Sequence, residues 1–101
     1  DVTRTIIASL HDDDVYVSFD IDGLEPTLCP NTGTPVPGGL SFDQGCFIIE
    51  ALAKANKRII GFDLCEVAPH PDGSDEWDAN VGSRILYKLC GATLHSQGKL
   101  K

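Results

Sequence analysis

Two aspartates one residue apart, Asp20 and Asp22, stand at the end of an apolar run, Val15-Tyr16-Val17-Ser18-Phe19, and just before a glycine. If the run is a strand, side chains alternate between faces, so Asp20 and Asp22 point the same way while Phe19 and Ile21 pack oppositely. Adjacent carboxylates repel, and holding both as anions away from water costs several kcal/mol unless a divalent cation, an arginine or a shared proton intervenes. A hard cation is the strongest of these candidates. A structural pair or helix cap, and phosphoryl transfer, are the other two readings of the same residues.

The elements that would position these acids follow from patterning. A short amphipathic piece ends in the polar turn His11-Asp12-Asp13-Asp14, with His11 exposed, and delivers the chain into the strand at Val15. Residues 23–39 form a Pro/Gly-rich loop, stiff by composition, with Pro26, Pro30, Thr32-Gly33-Thr34-Pro35 and a closing Gly38-Gly39. Ser41 with Gln44 three residues later is a capping-box start. Phe47, Ile48, Ala51, Leu52 and Ala55 recur at helical spacing on one face. Lys54, Lys57 and Arg58 suit that helix's negative end, and Arg58 to Leu64 reads as a second buried strand.

A helix between two apolar strands predicts a parallel βαβ unit, which brings both strand ends to one edge of the sheet. The first carries Asp20 and Asp22, and the second runs through Asp63 to Glu66, so the acids converge where open α/β sheets bind ligands. On an extended strand Asp63 faces away from Glu66, which gives it a structural role. A further helix is predicted to start between Ser74 and Asp78, to use Trp77, Val81, Ile85 and Leu89 as its core face with Trp77 as an anchor, and to stop at Gly91. The tail from His95 to Lys101 has no apolar period and is expected to fray.

Bulk composition narrows the partners. The chain has 101 residues, 42% of them hydrophobic, and a formal charge of −7 from 15 acids against 8 bases. That balance disfavours nucleic acid, which calls for a basic patch, and suits metal ions or cationic small molecules. Cys29, Cys46, Cys65 and Cys90 form neither a CxxC pair nor a zinc-knuckle spacing, which points to reduced thiols. No apolar run is long enough for a membrane span, and the expected setting is cytoplasmic. The chain begins at Asp1 and contains no methionine, which reads as an excerpt of a longer translation product.

FDIDG after a hydrophobic strand resembles the haloacid dehalogenase-like phosphatases, with the first aspartate as nucleophile and the second as general acid. That pattern usually continues with Thr or Val, where Leu24 stands, and its later Gly-Asp motif is not supplied by Gly61-Phe62-Asp63. Three segments together, SFDIDGLEPTLCPNTGTPVPGG, GFDLCEVAP and WDANVG, closely resemble the C-terminal third of the ureohydrolases, the arginase and agmatinase family, over roughly residues 14 to 92. The resemblance implies a three-layer α/β/α architecture with a parallel sheet, arginase-like, of which residues 1–101 are the C-terminal portion of a single domain.

It further implies that Asp20 bridges two manganese ions (Mn2+), that Asp22 binds one of them, and that a hydroxide shared by the metals attacks a guanidinium carbon to release urea and an amine. By the same resemblance Glu66 pairs with the substrate guanidinium and Thr34 lies near the substrate, a bond within its own turn being Thr34's other reading. No catalytic residue falls within this span. The family's remaining ligands and a catalytic histidine come from earlier in the domain, and His11, His70 and His95 match none of them, His70 reading as solvent-facing. The isolated chain is therefore expected to be inactive and to bind manganese weakly. Glu25, Cys29 and Asn31 depart from common family choices. The implied partners are a small guanidino substrate, agmatine or a similar compound, with arginine and then formiminoglutamate behind, and further copies in a trimer or hexamer. A non-catalytic metal-binding or assembly domain is the reading from a different class.

Overall fold

The computed structural model describes residues 2–99. Helix α1 (Val2–Ala8) leads through the polar turn into strand β1 (Asp14–Asp20). Two single 3₁₀ turns, Ile21–Gly23 and Pro26–Leu28, open the long loop, and helix α2 (Phe42–Lys54), strand β2 (Arg58–Cys65) and helix α3 (Trp77–Ser96) complete the chain. The strands pair in parallel, as the crossover helix requires, with Ser18 opposite Asp63 and Asp20 opposite Cys65. Val15 faces Ile59 but Tyr16 faces Gly61, so Ile60 is the extra residue of a bulge and is 55% exposed.

Alternation along β1 decides which face is covered. Val15, Val17 and Phe19 pack with Phe62 and Leu64 of β2 against a core of Ile21, Leu24, Ile49, Ile59, Val81, Ile85 and Leu89. Tyr16, Ser18 and Asp63 lie on the other, polar face. The class is α/β with a parallel sheet, and in this span the helices α2 and α3 meet the apolar side.

Helix α2 begins with the full capping box: Gln44 N–H donates to Ser41 Oγ, and Ser41 N–H to Gln44 Oε1. Its buried residues are Gly45, Cys46 and Ile49, and of the expected Phe47 stripe Leu52 packs against the same core. Phe47, Ala51 and Ala55 line a groove shared with Thr3, Arg4 and Ile7 of α1 instead. A helix between two partners carries two apolar stripes, and the periodicity does not say which one meets the sheet. Lys54 does sit in the last turn of α2, whereas Lys57 donates to the carbonyls of Leu10 and Asp12 and ties down the α1–β1 connection.

Helix α3 buries Val81, Ile85 and Leu89 as expected, and Ala92 beyond them. Trp77 is no core anchor: it is 47% exposed, and its indole N–H donates to the Thr27 carbonyl at 3.1 Å. Nor does Gly91 end the helix, which continues to Ser96. A mid-helix glycine costs about 1 kcal/mol relative to alanine, and this is offset by burial of Ala92 and by docking of the tail. Ile59 N–H donates to Ser96 Oγ at 2.9 Å, and Gln97 Nε2–H donates to the Ile59 carbonyl at 2.7 Å. The expected fraying therefore does not hold through Gln97, while Leu100 and Lys101 lie outside the described residues. Among the described residues no helix is long and apolar enough to cross a membrane.

Candidate metal and guanidinium site

Strand β1 stops at Asp20, and the next three residues wind into a 3₁₀ turn for which Asp20 is the N-cap, its carboxylate accepting from Asp22 N–H at 3.3 Å. The pair is thus brought together by a turn, not by the period of an extended strand. The apolar residue between them explains the difference: Ile21 is fully buried, and curling the backbone drives it into the core. Cys29 secures the same turn, its buried thiol donating to the Ile21 carbonyl at 3.3 Å. The departure at Cys29 thus has a structural role in this loop.

The loop is folded back on the strand end. Leu40 N–H donates to the Gly23 carbonyl and Glu25 N–H to the Leu40 carbonyl, at 2.9 and 2.8 Å. Gly39 makes this closure possible, because a Cβ there would sit 2.4 Å from the backbone of Leu24. With the loop closed, Thr34 Oγ1 donates to Asp22 Oδ2 at 2.6 Å, so Thr34 is bonded neither within its own turn nor left free.

Glu66 arrives from β2. It lies one residue beyond Cys65, the register partner of Asp20, and its backbone turns left-handed with φ 69°. That conformation costs a non-glycine residue ~1–2 kcal/mol and swings Glu66 off the strand, so strand alternation does not place it relative to Asp63. Its Oε2 lies 3.8 Å from where a Cβ on Gly33 would stand, over the Thr-Gly-Thr-Pro segment. Asp20, Asp22, Thr34 and Glu66 therefore meet at one rim.

The electrostatics agree with the geometry. The Asp20 carboxyl is held above its usual range, first by crowding out of water, then by a hydrogen bond with the Asp22 carboxyl and by the charges of Asp22 and Glu66. The Asp22 N–H works in the opposite direction. Asp20 keeps an exposed edge, so neighbours rather than depth cause the crowding. Asp63, by contrast, accepts from Ser18 Oγ, Tyr16 OH and Cys65 Sγ on the polar face of the sheet.

Sequence reasoning missed the groups that hold the loop in place. Asp78, fully buried in the first turn of α3, accepts from Asn31 N–H at 3.0 Å and Asn31 Nδ2–H at 3.1 Å. Thr32, also buried, donates to the Glu66 carbonyl at 3.0 Å. The partners are separated by 47 and 34 residues, beyond any local pattern. The one available signal was the asparagine at 31, an unusual choice whose side-chain amide supplies the second bond.

As donors, Asp20 and Asp22 are hard carboxylate oxygens, suited to manganese, magnesium or calcium. They are a partial set: among the described residues no group of three or more His, Cys, Asp or Glu side chains is arranged to hold a metal ion. The histidines lie elsewhere, His11 before β1, His95 late in α3, and His70 in the loop after β2, bonded to Asp72 at 2.6 Å.

The model of the arginase family matches residues 1–91. The chain belongs to the arginase family. Among relatives of this arginase-family chain, an agmatinase of Chromobacterium violaceum is 51% identical over 67 residues, covering 66% of this chain and 20% of the relative. An agmatinase of Proteus mirabilis is 47% identical over 91 residues, covering 90% of this chain and 25% of the relative. In structure, the chain is similar to a hypothetical agmatinase from Burkholderia thailandensis, with a TM-score of 0.76 and 34% identity over 97% of this chain and 30% of the other. The arginase-family chain thus spans about a quarter of the length of the curated relatives it matches. The family match sets aside the haloacid dehalogenase-like alternative.

Proposed function

We propose that this chain is the C-terminal portion of a manganese-dependent ureohydrolase acting on agmatine or a similar small guanidino compound. The observation that carries the reading is the convergence of Asp20, Asp22 and Glu66 at the ends of two parallel strands, in a chain whose relatives are agmatinases. In the reaction, water adds to the guanidinium carbon, the C–N bond to the substrate tail breaks, and urea and a protonated amine leave.

Asp20 and Asp22 would hold manganese. When bound, the metal supplies positive charge that relieves the repulsion of the two carboxylates and acidifies the attacking water. Thr34, bonded to Asp22 Oδ2, fixes the orientation of that carboxylate. Among the described residues no donor meets the Glu66 carboxylate, which leaves it available to a planar guanidinium through paired, charge-assisted hydrogen bonds. The remaining ligands come from outside this span, so the isolated chain does not turn over substrate. The whole protein is cytoplasmic and assembles as a trimer or hexamer.

The test is urea release by the full-length protein with manganese across agmatine, arginine and guanidinobutyrate, agmatine being turned over best. Metal binding without urea from any of them sinks the hydrolase reading and leaves a metal-binding or assembly domain.

A further inference from the structure

We propose that Thr32 is a positioning residue that fixes the pose of Glu66 through its backbone, an assignment that rests on the hydrolase reading above. Thr32 is 5% exposed, and its side-chain hydroxyl bonds across 34 residues to the Glu66 carbonyl. It leaves the carboxylate untouched. Glu66 stands at φ 69°, a conformation that a non-glycine residue keeps only where the surroundings over-determine it. A hydroxyl anchored on the carbonyl of that same residue supplies the determination: it fixes the rotation of the peptide group that follows Glu66, and so the direction in which the side chain leaves the backbone.

The anchor is itself immobile. Thr32 N–H donates to the Cys29 carbonyl, and the preceding Asn31 is clamped by backbone and side chain to the buried Asp78, with a further bond from Nδ2 to Asp75. Gly33 follows, and the Glu66 carboxylate lies over it, Oε2 standing at van der Waals distance, 3.8 Å, from where a Cβ would be. A chain of contacts therefore runs from α3 through Asp78, Asn31 and Thr32 to the residue proposed to meet the guanidinium.

The experiment is a double-mutant cycle in the full-length protein, with urea release from agmatine as the readout. Thr32→Val is expected to raise KM roughly ten-fold, the effect of one lost hydrogen bond on a substrate-binding pose. Thr32→Ser, which keeps the hydroxyl, stays near the parent. In a Glu66→Gln background, Thr32→Val adds little further loss, because it acts through the residue already altered. A merely structural role would lower the melting temperature and the active fraction while leaving KM at the parental value. A crystal structure of Thr32→Val gives the second readout, with Glu66 leaving the left-handed region; if that variant does not accumulate, Thr32→Ala carries the same comparison.

Parental KM in Thr32→Val, equal losses in both backgrounds, or Glu66 unmoved at positive φ would each overturn the assignment. Should the parent release no urea from any guanidino compound, the hydrolase reading falls, and the backbone of Glu66 in the variant structure still decides whether Thr32 positions it.

Discussion

Asp20 and Asp63 are carboxylates on neighbouring strands of one small sheet, yet their surroundings differ in kind. Asp63 collects donors: the Cys65 thiol first, then the Ser18 hydroxyl and the Tyr16 phenol, and together they hold its carboxyl below the usual range. The same contact pushes the Tyr16 phenol and the Cys65 thiol up, as expected of donors bonded to an anion. Asp20 collects other acids, and its carboxyl is held up. A carboxylate whose lone pairs are met by protein donors is finished as a structural element, whereas one crowded by further carboxylates carries like-charge repulsion that a bound cation would relieve. Acid content does not separate the two regions; the partners do.

The sharpest way to break the contrast is to neutralise one acid in each region. Asp20→Asn in the full-length protein is expected to lower urea release by about 100-fold or more, since even the partners of metal ligands are worth that much. Calorimetry should show weakened manganese binding in parallel. Asp78→Ala comes next, because it strands two Asn31 donors beside a fully buried site. It should cost about 2–4 kcal/mol of stability, seen as a melting temperature several degrees lower.

Asp63→Asn has a smaller effect, a modest drop in melting temperature with activity within roughly three-fold of the parent. Its pH dependence sharpens the comparison. The folded-state pKa of Asp63 is depressed, so its contribution is fully present above the ordinary carboxylate value of about 3.9 and disappears as pH falls through the folded value. Melting temperatures followed downward from pH 6 should converge for parent and variant only below about pH 4. Parallel curves down to that point and beyond would show that the Asp63 bonds carry no linkage. The smallest effect belongs to Glu50, bonded to Lys88 at 2.7 Å on the outer surface of α2 and α3. Glu50→Gln should shift melting by about 1 °C or less, with the difference fading at high salt.

Much of the fold was legible because local physics dictates it. The capping box at Ser41 and Gln44, the apolar runs of β1 and β2, and the Val81, Ile85, Leu89 stripe each follow from hydrogen bonding or burial within a few residues. Errors arose where a segment has two possible partners. Phe47, Ala51 and Ala55 face α1 while Leu52 of the same stripe meets the core, Trp77 reaches the loop at Thr27 and not the core, and α3 passes Gly91 because its far end docks on Ile59. In the site, Asp20, Asp22, Thr34 and Glu66 were all named from sequence, but the route by which they meet was not, because the 3₁₀ turn and the left-handed backbone at Glu66 answer to burial of Ile21 and to the grip of Thr32.

By itself, the sequence named the candidate acids and determined that two strand ends would bring them to one edge, since side-chain identity and hydrophobic period are local properties. The tertiary structure alone decided how the acids are aimed. Asn31 on Asp78 and Thr32 on Glu66 join residues far apart in the chain, and such bonds form only once packing has brought the segments within hydrogen-bond distance.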